Sequence, residues 1–219
     1  MELEVLHLDP HILVVNKPGG LPSVADRTGD ASLLDRVRGS FAGDLELPHR
    51  LDRPVSGALV VARSREALIG MNALFADRAV AKRYWAVVHG TPPDHGMWRH
   101  HLVHDARAHR SRVISDESGA VAELSFRKLA QGERYALIEL SPTGGVFHQL
   151  RAQCGAAGFP IKGDVKYGAR RGEPDRTVAL HAYALSFVHP IDGVSMNIIA
   201  PAPRKPIWDA LAALVVNPG

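Results

Sequence analysis

The sequence predicts an α+β fold with a mixed, mainly antiparallel sheet, and three observations lead to that class. Short segments rich in apolar and β-branched residues recur along the 219-residue chain, and several flank turn-forming residues as hairpin partners do. Segments with helical periodicity fall between them at irregular intervals. A doubly wound parallel sheet would alternate strand and helix regularly, so the order of elements favours hairpins.

Strands are predicted where apolar and β-branched residues cluster between turn signals. The predicted strands are Leu3–Leu8, Ile12–Val15, Ala58–Ala62, Tyr84–Val88, Val121–Phe126, Tyr135–Leu140, Leu185–Val188 and Met196–Ile199. Asp9-Pro10 separates the first two segments, and Pro190-Ile191-Asp192-Gly193 separates the last two. Each of these two pairs is therefore expected to form a hairpin.

Helices are predicted from apolar residues at spacings of three and four, together with residues that cap or stop a helix. The predictions are a helix from Leu33 to Phe41 capped by Asp30, one that follows Ser64 as its cap, one from Gln149 to Ala157 stopped by Gly158, and one from Trp208 to Val215. Cys154 lies on the apolar side of the third helix and is expected in the core.

Composition narrows the class of protein without identifying it. A hydrophobic fraction of 46% and a charged fraction of 22% are ordinary for a globular chain and argue against disorder. No apolar run approaches the roughly 20 residues that span a bilayer, and the N-terminus does not read as a secretory signal. A single cysteine cannot form an internal disulfide, which favours the cytoplasm. The net charge of +3 is compatible with a polyanionic partner but does not require one.

The segment from His49 to Gly57 carries the most chemistry. In it Asp52 stands between Arg50 and Arg53, in a turn-forming stretch before a predicted strand. Nearby positive charge keeps a carboxylate ionised, and the ionised form is the one that attacks as a nucleophile. From these residues alone, an ordinary surface loop with an Arg–Asp pair remains the alternative.

Four groups of residues, in this order, resemble the signature motifs of RluA-type pseudouridine synthases. They are Asn16-Lys17-Pro18 with Gly20, His49-Arg50-Leu51-Asp52 with Ser56-Gly57, Lys82-Arg83-Tyr84, and His148-Gln149-Leu150-Arg151 with the later Leu180-His181-Ala182. The resemblance covers nearly the whole chain. Several motifs in one order are specific evidence, whereas one alone would be weak.

The resemblance implies a base-flipping isomerase whose sheet lies in two halves, with flanking helices and a central cleft. Asp52 is implied as the catalytic nucleophile, and Tyr84 as a catalytic residue that lines the base pocket. The target uridine would leave its stack at a cost of roughly a few kcal/mol. No cofactor is implied, because the isomerisation needs neither a redox centre nor an activated donor, and the chain has no Gly-rich phosphate loop.

The implied partner is RNA, either transfer RNA or a ribosomal RNA stem-loop, bound by a monomer with no role for a membrane. Residues 1–219 are predicted to form a single catalytic domain, without the extra N-terminal RNA-binding domain that some relatives carry. The predicted substrate-binding side chains are Arg50, Arg53, Lys82, Arg107, Arg110, Arg112, His148, Gln149 and Arg151.

The stretch from Arg99 to Arg112 holds eight Arg or His residues, a pattern suited to phosphate contacts. The resemblance places a hairpin or loop that grips RNA here, and a solvated loop is the alternative. Three histidines at 100, 101 and 104 raise the question of zinc. Neither a cysteine nor a well-spaced carboxylate completes a tetrahedral set, so no metal is predicted.

One position departs from the family pattern. Val146 stands where the family carries an arginine before its His-Gln pair, an arginine that the resemblance assigns to the catalytic aspartate. Arg50, Arg53 and Arg151 are the candidates to serve Asp52 instead. The departure leaves open a second function, a non-catalytic or weakly active RNA-binding or RNA-folding protein with the same fold.

Overall fold

A computed structural model describes residues 3–215 and divides the chain into two compact units. The first unit is formed by residues up to Lys82 together with His181–Ala202. The second is formed by Arg83–Leu180 together with the residues from Pro203 onward. The single catalytic domain expected from the sequence stays a prediction.

Strands and helices alternate irregularly, as the sequence predicted. Within residues 3–215 the strands are β1 (Glu4–Leu8), β2 (Ile12–Lys17), β3 (Ser56–Ala62), β4 (Ala81–His89), β5 (His95–Asp105), β6 (Arg110–Ile114), β7 (Ala120–Gln131), β8 (Tyr135–Pro142), β9 (Leu180–Val188) and β10 (Ser195–Ile199). The α-helices are α1 (Leu33–Ser40), α2 (Arg65–Ala76), α3 (Gln149–Ala156) and α4 (Pro206–Ala212), and a 3-10 turn covers Val165–Tyr167.

The sheet of the first unit is mixed. β1 pairs with β2, β2 with β3, and β9 with β10, all antiparallel, whereas β3 and β9 run parallel. Both predicted hairpins, β1–β2 and β9–β10, are confirmed. The parallel pairing is short, with Ser56 opposite His181 and Gly57 opposite Ala182, and it lies where the segment from His49 to Gly57 enters the sheet.

The sheet of the second unit is antiparallel throughout its assigned pairings. Its order is β4-β8-β7-β5-β6. The basic stretch from Arg99 to Arg112 forms the end of β5, a turn and the start of β6, so a hairpin is present there, and its contact with RNA stays a prediction. Across both units antiparallel pairs dominate, and the predicted α+β class is confirmed.

Each unit has its own apolar core. In the first unit β2 and β3 are buried almost throughout, and α2 covers one face with Ala67 and Met71. In the second, Leu102, Ala122 and Ala152 form a small apolar cluster. Fully burying one large apolar side chain, such as that of Leu102, contributes about 1.5–3 kcal/mol to folding.

The helix caps agree with prediction at two places and differ at a third. The Ser64 hydroxyl caps α2 by accepting from Ala67 N at 3.2 Å, and Gly158 follows α3 with a φ of +85°. The prediction of Asp30 as the α1 cap is wrong, because Ser32 caps that helix in a reciprocal capping box with Asp35. Asp30 is instead bound to Arg53.

Two further findings concern single features. Cys154 is fully buried in α3, which confirms its place in the core, and burial raises the pKa of its thiol. Within residues 3–215 no helix is long and apolar enough to cross a membrane.

Candidate active site

Asp52 lies in the loop that precedes β3, in the first unit. Leu51 and Val55 are buried on either side of it, whereas Asp52 itself is half-buried. A turn closes the loop, because the N–H of Val55 donates to the Asp52 carbonyl oxygen at 3.0 Å. Two apolar anchors and a closed turn fix the backbone of the aspartate while leaving its side chain partly accessible.

The backbone of this loop is held from the segment that follows β2. The Ser23 hydroxyl donates to the Leu51 carbonyl oxygen at 2.7 Å and accepts from the Leu51 N–H at 3.2 Å. The Arg53 carbonyl oxygen accepts from Gly20 N at 2.8 Å and from Lys17 Nζ at 3.3 Å. The residues on both sides of Asp52 are thus tied to the Asn16-Lys17-Pro18 signature and the loop after it.

The Arg53 side chain turns into that same loop. Its Nε donates to the Gly20 carbonyl oxygen at 3.0 Å, and its terminal nitrogens pair with Asp26 at 3.1 Å and with Asp30. Hydrogen bonding to Asp30 is the largest cause that raises the pKa of Arg53. Arg50, by contrast, is exposed. The contacts of Arg53 favour an anchoring role over direct contact with substrate.

His49 of the same motif is held as a neutral ring. Its Nε2 accepts from Val60 N at 3.0 Å, and its ring packs on Phe75 with centroids 4.6 Å apart. Burial, reinforced by the charge of Lys82, lowers the pKa of His49 to about 3. An imidazole that stays neutral and accepts from the backbone positions the loop rather than exchanging protons.

The residues that follow the loop, Ser56 and Gly57, are held against β9. Ser56 Oγ and His181 Nδ1 lie 2.9 Å apart, and His181 Nε2 donates to the Ala200 carbonyl oxygen at 3.1 Å. That bond leaves Nδ1 as the acceptor for the Ser56 hydroxyl. Gly57 has a φ of +120°, and a Cβ there would lie 2.4 Å from the backbone N and O of Ala182. Only glycine fits this position of the motif.

Tyr84, the second predicted catalytic residue, lies on β4 opposite Leu140 of β8 in the second unit. Its side chain is half-buried. Lys82 stands two positions earlier on the same strand, and burial lowers the pKa of its amine. Period-two alternation places Lys82 and Tyr84 on one face of the strand.

The predicted residues at the start of α3 are bound into a polar cluster of the second unit. Arg151 and Asp164 form a bidentate pair, with Nε–Oδ2 at 2.7 Å and Nη2–Oδ1 at 2.8 Å, and both side chains are almost fully buried. Nη1 of Arg151 lies 3.1 Å from His148 Nε2, and His148 Nδ1 lies 2.8 Å from the Tyr167 hydroxyl. His148 has a φ of +52°, a strained conformation for a non-glycine residue, and such strain clusters at functional sites.

Gln149 and Val146 shape the turn before α3. Gln149 is buried, accepts from Val146 N at 3.1 Å through Oε1 and donates to the Glu123 carbonyl oxygen at 3.1 Å through Nε2. Through these two hydrogen bonds Gln149 stabilises the turn before α3. The Val146 side chain packs against the apolar cluster of Leu102, Ala122 and Ala152. Position 146 is therefore an apolar packing position in this chain.

The hairpin of β5 and β6 presents its basic residues to solvent. Arg107, Arg110 and Arg112 are exposed, and the Nε of Arg112 lies 3.7 Å from Asp105 Oδ2. Next to them, Phe147 stacks on His148 with ring centroids 3.9 Å apart and contacts His104 at 4.6 Å. Exposed arginines beside aromatic rings are a surface suited to a nucleic acid.

Among the described residues, no group of three or more His, Cys, Asp or Glu side chains is arranged to hold a metal ion. The three histidines that suggested zinc, at positions 100, 101 and 104, lie on β5. Successive side chains of a strand point to opposite faces, so His100 and His101 cannot bind the same metal ion.

One functional candidate is not singled out by the sequence. Lys17 appears there only as part of a family motif, yet its amine is buried and bonded to the loop that carries Asp52. A signal existed, since period-two alternation places Lys17 on the same strand face as the apolar Leu13 and Val15.

Comparison with known protein families agrees with this geometry. A family model described as RNA pseudouridylate synthase matches residues 11–156. The chain is 34% identical over 218 residues to ribosomal large subunit pseudouridine synthase C of Escherichia coli strain K12, covering 90% of this chain and 66% of that protein. It is 32% identical to ribosomal large subunit pseudouridine synthase D of Zymomonas mobilis, covering 92% and 70%. The chain therefore spans about two thirds of the length of these curated relatives.

Solved structures give the same result for the fold. Human RNA pseudouridylate synthase domain containing 1 superposes with a TM-score of 0.81 at 29% identity, covering 95% of this chain and 87% of that one. Human RNA pseudouridylate synthase domain containing 4 gives a TM-score of 0.75 at 26% identity, with 92% and 89% covered.

Proposed function

The chain belongs to the RNA pseudouridylate synthase family, and on that premise we propose that it isomerises uridine to pseudouridine in RNA, with Asp52 as the nucleophile. The observation that carries the proposal is the loop that holds Asp52. Its backbone is fixed at Leu51 and Arg53 by hydrogen bonds, and its exit is locked at Ser56 and Gly57. Such rigidity is what a nucleophile needs to meet a flipped base in one geometry.

The reaction is a rearrangement within one nucleotide. The bond from the uracil N1 to the ribose breaks, the freed base rotates, and a bond forms from the uracil C5 to the same ribose carbon. C5 loses a proton and N1 gains one, so no electrons or atoms enter or leave. Asp52 is proposed to attack and to be released again, which requires its ionised form at the moment of attack.

Tyr84 is proposed to line the pocket for the extruded base. A tyrosine ring offers a face for stacking and a hydroxyl for a hydrogen bond, and stacking on an aromatic ring stabilises an unstacked base by about 1–3 kcal/mol. Lys82 is proposed to contact the RNA backbone near that base. Both remain proposals from the family motif and their shared strand face.

The basic hairpin of β5 and β6 is proposed to provide most of the contacts with RNA. Phosphate contacts from flexible arginines position a nucleic acid without reading its sequence. The exposed Arg107, Arg110 and Arg112 offer such contacts on one hairpin. His148, which stacks on Phe147, and the exposed Arg50 are proposed to add further contacts to the RNA.

Replacing the three hairpin arginines by alanine is expected to weaken RNA binding and flatten its dependence on salt. The slope of log K against log salt concentration is negative. If each arginine neutralises one phosphate, the slope of the triple variant should be less negative by about two to three. The measurement is fluorescence anisotropy with a labelled stem-loop between low and moderate salt. Arg27, Arg65 and Arg204 are also exposed, and their triple alanine variant removes the same charge elsewhere. Equal slopes for the two triple variants would show that the hairpin does not contact RNA.

The substrate is proposed to be ribosomal RNA of the large subunit before transfer RNA, because the relatives at 32–34% identity are named for that subunit. The test is to incubate the purified protein with unmodified large-subunit RNA and with unmodified transfer RNA, then map pseudouridines by chemical probing. We expect modification at one or a few uridines of the ribosomal RNA. Tyr84→Phe and Tyr84→Ala variants in the same assay separate the hydroxyl from the ring. RNA that is bound but never modified would support the alternative, a binding protein without catalysis.

A further inference from the structure

The basic hairpin is attached near its turn to the 3-10 turn Val165–Tyr167 of the same unit. Lys166 Nζ donates to the His109 carbonyl oxygen at 2.9 Å, and the Tyr167 hydroxyl accepts from Ser111 N at 2.9 Å. His109 has a φ of +44°, so the chain reverses there in a conformation that few non-glycine residues adopt. Both bonds therefore hold the part of the hairpin that carries its exposed arginines.

Ser111 is the residue through which the Tyr167 attachment acts. It lies in β6, which ends the order of strands in its sheet and pairs with β5. Its N–H bonds to Tyr167 rather than to β5, and the residue is only 1% exposed. The Ser111 hydroxyl donates to the Phe147 carbonyl oxygen. Because a buried N–H needs an acceptor, the Tyr167 hydroxyl supplies at this edge what a further strand would otherwise provide.

The Tyr167 hydroxyl is held in place by a network of side chains. The Arg151 guanidinium can only donate, so His148 Nε2 at 3.1 Å accepts, and the neutral ring carries its proton on Nδ1. Nδ1–H then donates to the Tyr167 hydroxyl oxygen at 2.8 Å. Arg151 is fixed in turn by its bidentate pair with Asp164, and its guanidinium lies 5.2 Å from the centre of the Tyr167 ring. A buried ion pair thereby orients the acceptor that Ser111 uses.

We propose that Tyr167 is a positioning residue for RNA binding, which holds the basic hairpin through Ser111 so that its arginines meet phosphates together. The assignment rests on the proposed function, in which Arg107, Arg110 and Arg112 contact the RNA. A hairpin that is already held loses little conformational freedom when RNA binds, whereas a loosened hairpin must be ordered first, which weakens binding. Tyr167 therefore acts on affinity through the hairpin and not through a charge of its own.

The Tyr167→Phe variant tests this assignment because it deletes the hydroxyl alone, keeping the ring and every charge. RNA affinity at moderate salt should fall by about two- to tenfold, the factor that corresponds to one hydrogen bond. The slope of log K against log salt concentration should become less negative by about one, because a loosened hairpin neutralises fewer phosphates. Tyr135→Phe is the matched control, since it deletes a hydroxyl at the start of β8 in the same unit. Its affinity and its slope should equal those of the wild type.

A double-variant comparison separates positioning from a general loss of stability. In the protein whose three hairpin arginines are alanine, adding Tyr167→Phe should weaken RNA binding by less than about twofold further, because the contacts that Tyr167 positions are already gone. A residue that only stabilised the second unit would cause the same loss of affinity in both backgrounds.

Amide hydrogen exchange, followed by NMR, tests the attachment without RNA. In Tyr167→Phe the Ser111 N–H should exchange faster by about tenfold or more, because its hydrogen bond is lost locally. The amide of Leu137, which is fully buried on the central strand β8, should keep its wild-type rate. Wild-type exchange at Ser111 in this variant would show that the hydroxyl does not hold the hairpin, and it would overturn the assignment.

The salt slopes distinguish failure of this assignment from failure of the proposed function. If the triple alanine variant changes the slope and Tyr167→Phe does not, Tyr167 is not a positioning residue, while the hairpin remains a contact for RNA. If neither variant changes the slope, the proposed contact of the hairpin with RNA fails and the assignment fails with it. If Tyr167→Phe does not fold, Lys166→Gln is compared with Lys205→Gln, which also removes one charge from the second unit. Equal losses of affinity in these two variants would refute an attachment by the 3-10 turn that matters for RNA.

Discussion

The Asp52→Asn variant is expected to lose pseudouridine formation by roughly 10³-fold or more, because an amide cannot act as the anionic nucleophile. The change keeps the size and shape of the side chain. The hydrogen bonds that Ser23, Gly20 and Lys17 make to this loop use the backbone of Leu51 and Arg53, so these bonds should survive the substitution. Binding of an RNA stem-loop should therefore remain within about twofold, since the arginines proposed to contact phosphates are untouched.

The measurement is single-turnover conversion of the mapped uridine, with binding followed separately by anisotropy. Asp44→Asn is the matched control, because Asp44 is an exposed aspartate earlier in the same unit. It should retain the wild-type rate. Pseudouridine formation by the purified Asp52→Asn protein above the limit set by contamination would show that Asp52 is not the nucleophile, whether or not RNA binding changes.

The fold could be predicted in its class and in most of its strands. Pairs of β-rich segments around Asp9-Pro10 and around residues 190–193 determined two hairpins, because a turn and two flanking strands are local features. The parallel contact of Ser56 with His181 could not be predicted in the same way. Those residues are 125 positions apart, and no local pattern records such a pairing.

Caps and site contacts were less predictable, for a related reason. Asp30 and Ser32 are both residue types that cap helices well. Ser32 is the cap because Asp35 completes a capping box with it, whereas Asp30 pairs with Arg53. The second of these contacts joins residues 23 positions apart. Likewise the motif identified Asp52 from sequence, but Lys17 emerged only once the carbonyls of Leu21 and Arg53 were seen around its amine.

Position 146 shows where a family pattern needs the structure. The sequence marked Val146 as a departure that put catalysis in question. In the structure this valine packs on apolar residues of β5, β7 and α3, which gives the side chain a structural use of its own. The departure at position 146 does not by itself decide catalytic competence, which the Asp52→Asn experiment tests.

Removing the Asp164 carboxylate is expected to be among the most destabilising single changes in the second unit. Asp164→Ala leaves the Arg151 guanidinium buried without its bidentate partner, and breaking such a pair costs about 3–5 kcal/mol of the free energy of unfolding. The matched control is Glu46→Ala, which breaks the half-exposed pair of Arg38 and Glu46. That change should cost less than about 1 kcal/mol, because exposed pairs are screened by water. Urea unfolding of both variants checks the difference.

Replacing both partners separates the structural from the functional role of Arg151. Arg151→Met combined with Asp164→Leu removes both buried charges and fills the space with apolar atoms, so stability should return to within about 1.5 kcal/mol of wild type. If Arg151 also contacts the substrate, as the sequence predicts, catalysis should not return, because methionine offers no positive charge. The contrast is read from urea unfolding and single-turnover rates on the same preparation. A stable double variant with the wild-type rate would show that Arg151 is a structural residue without a role in the reaction.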